Sequence, residues 1–244
     1  MTPGRMVIVL LVVAAAMAAT TGNAAPADEV YVYDEAIANE IDVEQFMRSG
    51  EVVLRSGEPV VTCGDPLPVP PAYPPLRILQ PGFEQLGMNP DRADGIRFIG
   101  SGPVWKKNHL VVVMWKIRLP EASTRIPGDF GDPLTVSLWV DWNRNDAWGI
   151  DELVVQRNVD VSGKITKRRE PVTVFFITAF RVPDIPPTSR GTLDHGHGGE
   201  VADLWVRGTV AYGDARVGPA GDQLFGDVED YRVQYEVRRN KRDD

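Results

Sequence analysis

An all-β fold is what this sequence predicts: an antiparallel β-sandwich, jelly-roll-like, with a short mixed N-terminal extension. Three observations predict it. After Gly82 the apolar residues recur with a period of two, the spacers between these runs are rich in Gly, Pro and Asp, and no segment of helical period occurs there. Long antiparallel runs with turn-rich spacers bury their apolar faces by packing sheet on sheet.

The chain of 244 residues opens with Arg5, an unbroken apolar run from Met6 to Ala19, and small residues up to Ala25. A single basic residue, an apolar core and a small-residue exit predict a secretory signal peptide over 1–25. The run is shorter than the roughly 20 residues that span a bilayer. The mature protein is therefore expected to be secreted or periplasmic, with no membrane span after cleavage. Its formal charge of -8 argues against a nucleic-acid partner, because phosphate backbones repel it. The single cysteine, Cys63, has no intramolecular partner and reads as a buried, inert thiol.

Residues 26–64 read as a small α+β extension. Val30 to Tyr33 is strand-like; Asp34 can cap a helix carrying Ile37, Ile41 and Val43 or Met47, with Gly50 to stop it. Glu51–Leu54 and Pro59–Thr62 read as extended. Residues 65–82 form a Pro-rich linker or surface arm, since Pro66, Pro68, Pro70, Pro71, Pro74, Pro75 and Pro81 exclude helix and central strand. The sandwich proper is assigned to 83–237. Its strands are expected at Ile96–Ile99, His109–Leu119, Leu134–Asp141, Pro171–Val182, Ala202–Tyr212 and Val228–Val237. The strand from Pro171 is apolar on both faces and so belongs in a sheet centre. A charged tail, 238–244, closes the chain and reads as solvated.

The most specific chemistry comes directly after the Leu134 strand. In Asp141-Trp142-Asn143-Arg144-Asn145-Asp146-Ala147-Trp148-Gly149-Ile150-Asp151-Glu152, Asp141, Asn143 and Asn145 occupy positions one, three and five, and Glu152 position twelve. That is the ligand spacing of a calcium loop, with the Ala147 carbonyl at position seven. Ca²⁺ takes six to eight oxygens at about 2.3–2.6 Å, and alternate side chains of a curved loop supply them. Position six, normally Gly, is Asp146. With one carboxylate among the first three ligand positions, the expected affinity is weak, roughly 10⁻⁴–10⁻³ M. Ile150 is expected to pin the loop to the core.

A second signature, Gly226-Asp227-Val228-Glu229-Asp230-Tyr231, places consecutive acids at a strand start, where they are poor strand formers. Period two puts Glu229 and Tyr231 on one face and Asp230 on the other. With the acidic loop, and with the intervening Leu204-Trp205-Val206-Arg207-Gly208-Thr209-Val210, this pattern resembles the GEVED domain of secreted bacterial proteins, named for a Gly-Glu-Val-Glu-Asp-Tyr signature. The likeness runs from about Ile96 to Val237. Asp227 replaces the family's Glu, Asn145 its loop Asp, and Asp146 its loop Gly. The resemblance implies a β-sandwich module of secreted and cell-surface proteins, and leads to the expectation that Asp227, Glu229 or Asp230 completes a calcium shell with the loop.

Three other groups of residues carry candidate chemistry. Asp194-His195-Gly196-His197 offers a histidine pair for a second, transition-metal site and, with it, a metal-dependent hydrolase, but its glycines make a flexible loop. His109 reads as structural. Trp142 and Trp148, near Trp139, could stack on sugars, which makes a carbohydrate-binding module the alternative function. Trp139, opposite the apolar set, must lie on a second packed surface or be exposed. No nucleophile-elbow, zincin or phosphate-loop motif is present. The expected function is a secreted, non-catalytic, calcium-binding β-sandwich module of cell-surface structure or adhesion, with a surface protein or glycan as partner.

Overall fold

The structure, a computed structural model, describes residues 29–78, 95–119, 134–160, 172–185, 192–194, 200–212, 218–223 and 226–237. It is an all-β sandwich. The expected signal peptide and charged tail lie outside the described residues, as do His195 and His197. Among the described residues no helix is long and apolar enough to cross a membrane.

The first sheet contains β1 (Glu29–Tyr33), β2 (Val61–Cys63), β5 (Ile96–Gly100), β7 (Leu110–Leu119) and β10 (Val172–Arg181), in the order β1-β10-β7-β5-β2. The second is built on β3 (Asp65–Pro66), β8 (Leu134–Val140), β9 (Leu153–Val159), β12 (Glu200–Tyr212) and β14 (Gly226–Val237), in the order β3-β14-β12-β8-β9. The short strands β6 (Val104–Trp105) and β11 (Thr192–Asp194) join it through β14 and β12. A parallel pair, β4 (Leu76–Ile78) with β13 (Gly221–Gln223), stands apart. The long neighbours are antiparallel, and β1 runs parallel to β10.

Alternation explains the core between the sheets. Val113, Trp115, Val174 and Phe176 from one side meet Val136, Leu138, Val140, Val206, Tyr231 and Val233 from the other. Both outer faces are covered too. Residues 34–54 lay a 3₁₀ turn (Glu35–Ile37) and helix α1 (Val43–Ser49) over the first sheet. Ile37, Ile41, Phe46 and Leu54 pack there on Val112, Met114 and Ile177. The helix starts later than the apolar stripe alone suggests because Asp42, whose side chain accepts from Gln45 N, is its N-cap, while Asp34 caps the 3₁₀ turn. The proline-rich segment covers the second sheet. Val69 and Tyr73 lie on Trp139, Trp148, Leu153 and Trp205, and β3 pairs with β14. N-terminal extension and arm are thus layers of the same body, and Trp139 faces the second of these packed surfaces.

Asp34 ties the extension to both sheets. Its carboxylate accepts from Ala36 N (3.1 Å), Arg157 Nε (2.6 Å) and Thr178 Oγ1 (3.1 Å). Burial alone would raise its pKa, but these donors and the Arg157 charge outweigh it and hold the group below its ordinary value. A carboxylate with a lowered folded pKa stabilises above its unfolded pKa and loses that contribution as the pH falls through the folded value. Asp34→Asn should therefore cost about 1–2 kcal/mol at pH 7, the cap and a half-exposed ion pair together. The difference should shrink below about pH 4, as read by urea denaturation at the two pH values.

Candidate functional site

Strand β8 delivers the acidic loop. All seven of its residues are buried, since both faces of its sheet are covered. Its pairing with β9 slips by one residue between Leu138 and Trp139, so that Val154 is extra on β9. Such a bulge bends a strand and re-aims the side chains next to it; here it lies where the loop leaves and re-enters the sheet. Asp141 is anchored by its own N–H to Trp205 O (2.9 Å) and is 1% exposed.

The carboxylate of Asp141 organises the loop. Oδ1 accepts from Asn145 N at 3.1 Å; Oδ2 accepts from Asp146 N at 3.2 Å and from the Tyr73 hydroxyl at 2.6 Å. Asn145 Oδ1 accepts from Ala147 N at 2.9 Å. Asp146 stands at φ 62 and Arg144 at φ 55. Position six therefore takes the left-handed conformation for which calcium loops use Gly, and Asp tolerates it better than most residues do. Tyr73 closes the loop from outside. Burial first, and then the charges of Asp141, Asp146 and Glu152, push its phenol well above its usual range.

Glu152 returns to the same place at position twelve, at the end of a 3₁₀ turn (Ile150–Glu152). It is 1% exposed; Oε2 accepts from Gly149 N at 2.8 Å, while Oε1 is buried with no hydrogen-bond partner. Burial and the Asp141 charge push its pKa up to about 7, against the pull of the Gly149 and Asn143 N–H groups. A Cβ at Gly149 would sit 2.4 Å from Asp151 Oδ1, so any larger residue there would push the exposed Asp151 carboxylate aside. Arg144 is buried in the same loop, and there burial lowers its pKa while the Asp141 charge opposes the shift. Ile150 does not pin the loop: it is 85% exposed, and Trp148, 9% exposed, takes that part against Tyr73 (ring centroids 4.9 Å).

The structure thus brings Asp141, Asn143, Asn145, Ala147 and Glu152 into one loop, the two carboxylates inside it and the two Asn side chains exposed. The donor set is all oxygen, and a buried carboxylate oxygen lacks a partner, which suits a hard cation such as Ca²⁺. Among the described residues no three His, Cys, Asp or Glu side chains converge as a metal group.

The acids of the second signature go elsewhere. Asp227 accepts from Val228 N at 2.8 Å. Glu229 faces the core, where it accepts from the Tyr231 hydroxyl, whose oxygen in turn accepts from Ile96 N. Asp230, on the opposite face, is gripped by Arg207 through Nε (2.7 Å) and Nη2 (2.9 Å). Alternation puts Glu229 and Asp230 on opposite faces, and among the described residues none of these acids converges with Asp141 and Glu152 as a metal-holding group.

Arg207 joins the two signatures instead. Besides Asp230 it donates through Nη1 to Pro74 O and Pro219 O, each at 2.8 Å, and its guanidinium lies 5.3 Å from the centre of the Trp148 ring. It was not among the expected site residues, although a lone charge in the middle of a strand with packed neighbours on both faces is a visible request for a partner. Of the tryptophans proposed to meet a ligand, Trp148 is buried. Trp142 is half-buried against Trp105 and Phe180 (6.2 Å each) and lines an open groove of about 410 Å³. His109 Nδ1 lies 3.2 Å from Ser101 Oγ.

No family model matches the chain, and no curated protein matches it. A solved structure, the crystal structure of the C-terminal domain of wzt, is similar at 9% identity and a TM-score of 0.28; the likeness covers 57% of this chain and 66% of that chain.

Proposed function

We propose that this chain is a secreted, non-catalytic β-sandwich module of cell-surface structure or adhesion whose 141–152 loop binds calcium. The observation that supports it most is the burial of two carboxylates, Asp141 and Glu152, in one loop of ligand spacing, the second with an unpartnered oxygen. Burying carboxylates costs several kcal/mol each unless a cation or donors compensate. Asp141, the Ala147 carbonyl and Glu152 would hold the ion, with Asn143 and Asn145 beside them, and its charge would neutralise the loop. The likeness of 141–152 and 226–231 to the GEVED signatures points the same way. The glycan alternative keeps only Trp142 as an accessible platform.

Calorimetric titration of the mature chain with CaCl₂, and melting with and without EDTA, test the proposal. At a calcium concentration of about 100 Kd the folded state gains about 2.7 kcal/mol, so the melting point should rise by roughly 5–10 °C. Glu152→Gln should remove most of that rise. Absence of both heat and thermal shift in the unmutated chain would refute calcium binding.

A further inference from the structure

The groove beside the loop has a chemistry of its own. Its wall is mostly apolar: Trp142 forms one side, and Leu153, Val154, Pro183 and Ile185 the rest. Four charged residues stand around it. Arg181 is engaged through Nη2 with Glu40 (2.6 Å) and through Nη1 with Asn108 O (3.3 Å), and Asp184 is paired with Lys107. The remaining two, exposed Asp151 and buried Glu152, set the groove's charge, and Glu152 Oε1 is the oxygen without a hydrogen-bond partner. A ligand that complements such a groove carries a positive head on a carbon body. Anions meet two carboxylates. A neutral sugar has no charge for the two carboxylates to pair with.

We propose that the groove binds the lysine side chain of a partner protein, its alkyl stem along Leu153, Val154, Pro183 and Ile185 and its ammonium between Asp151, Glu152 and the face of Trp142. A lysine stem buries on apolar surface while its head seeks carboxylate, and an ammonium over an indole face gains further attraction. The volume of about 410 Å³ accommodates the side chain with part of its backbone. The inference rests on the reading of the chain as a binding module; Glu152 is the carboxylate that both ligands would use, so the ammonium and a calcium ion would compete for it, and the test is made without calcium.

The test is titration of the mature chain, in EDTA, with Nα-acetyl-lysine methylamide, followed by the NMR shift of the Trp142 indole and by tryptophan fluorescence. Nε-acetylation removes the charge and keeps the stem, and a neutral disaccharide probes the glycan reading. Saturable binding of the lysine compound is expected, about tenfold weaker for the acetylated one, since about 1.4 kcal/mol of charge interaction is a factor of ten. Asp151→Asn, at an exposed position, should weaken the lysine compound several-fold and leave the acetylated one unchanged. Equal binding of both compounds, preference for the disaccharide, or no movement of the Trp142 signal would overturn the proposal. Because chelator is present throughout, a failed calcium titration and a failed lysine titration are separate results.

Discussion

Arg207→Ala should destabilise the protein by about 3–5 kcal/mol, the usual cost of removing one partner of a buried ion pair. Arg207 is 2% exposed, and its side chain meets five groups at once: both oxygens of Asp230, the carbonyls of Pro74 and Pro219, and the Trp148 ring. Truncation leaves the Asp230 carboxylate, whose side chain is 14% exposed, without its counter-charge, and two carbonyls without their donor. The midpoint of urea denaturation should fall accordingly, and the melting point by roughly 10 °C. Because one of those carbonyls belongs to the proline-rich arm, the variant should also be cut faster by proteases around Pro74. A double variant, Arg207→Met with Asp230→Leu, removes both charges together and should recover much of the loss, since apolar replacements of buried pairs are often neutral. A loss below about 1 kcal/mol for Arg207→Ala would mean that the pair is solvated, in the range of surface ion pairs.

The parts of this fold that were legible in the sequence are those set by local period. Leu134, Val136, Leu138 and Val140 alternate, and they face the core. The two-sided strand at 172–181 lies between β1 and β7, with Val174 and Phe176 in one core and Ile177 in another. Strand β9 carries a weak sequence signal because only Leu153, Val154 and Val155 are apolar before Gln156, Arg157 and Asn158. It is an edge strand, and edges carry a weak pattern. The acidic loop was legible for the same local reason: Asp141 and Glu152 lie eleven positions apart and the turn between them does the rest. Tyr73 was not, because its hydroxyl reaches Asp141 from 68 residues away, and nothing in a run of prolines says which face it will cover. Glu229 and Asp230, each an expected candidate to complete the calcium shell, lie on opposite faces by the alternation visible there. The structure sends one to Tyr231 in the core and the other to Arg207 outside it.

Gly226→Ala should be the most damaging single-methyl change in the second signature. Gly226 stands at φ 143, a backbone conformation open in practice to glycine alone, and it heads β14 opposite Ala211 of β12. A Cβ there would lie 2.0 Å from the carbonyl oxygen of Val210 and 2.2 Å from Gln223 Nε2. The carbonyl is backbone of the central strand and cannot swing aside as a side-chain end can, so either the strand pairing opens or the φ angle changes. Strain at the residue costs about 1–3 kcal/mol, and overpacking against the ladder adds about 1–3 kcal/mol more. The expected total, about 2–6 kcal/mol, should be read as a lower denaturation midpoint. It should also be read as loss of amide-exchange protection at Val210 and Ala211, the residues that pair with the start of β14. Its position then explains the leading glycine of the signature without any ligand: the residue lets β14 enter the sheet against β12, in the register that sets Asp230 opposite Arg207. If Gly226→Ala folds with unchanged stability, that explanation fails, and the glycine must answer to something outside the sheet.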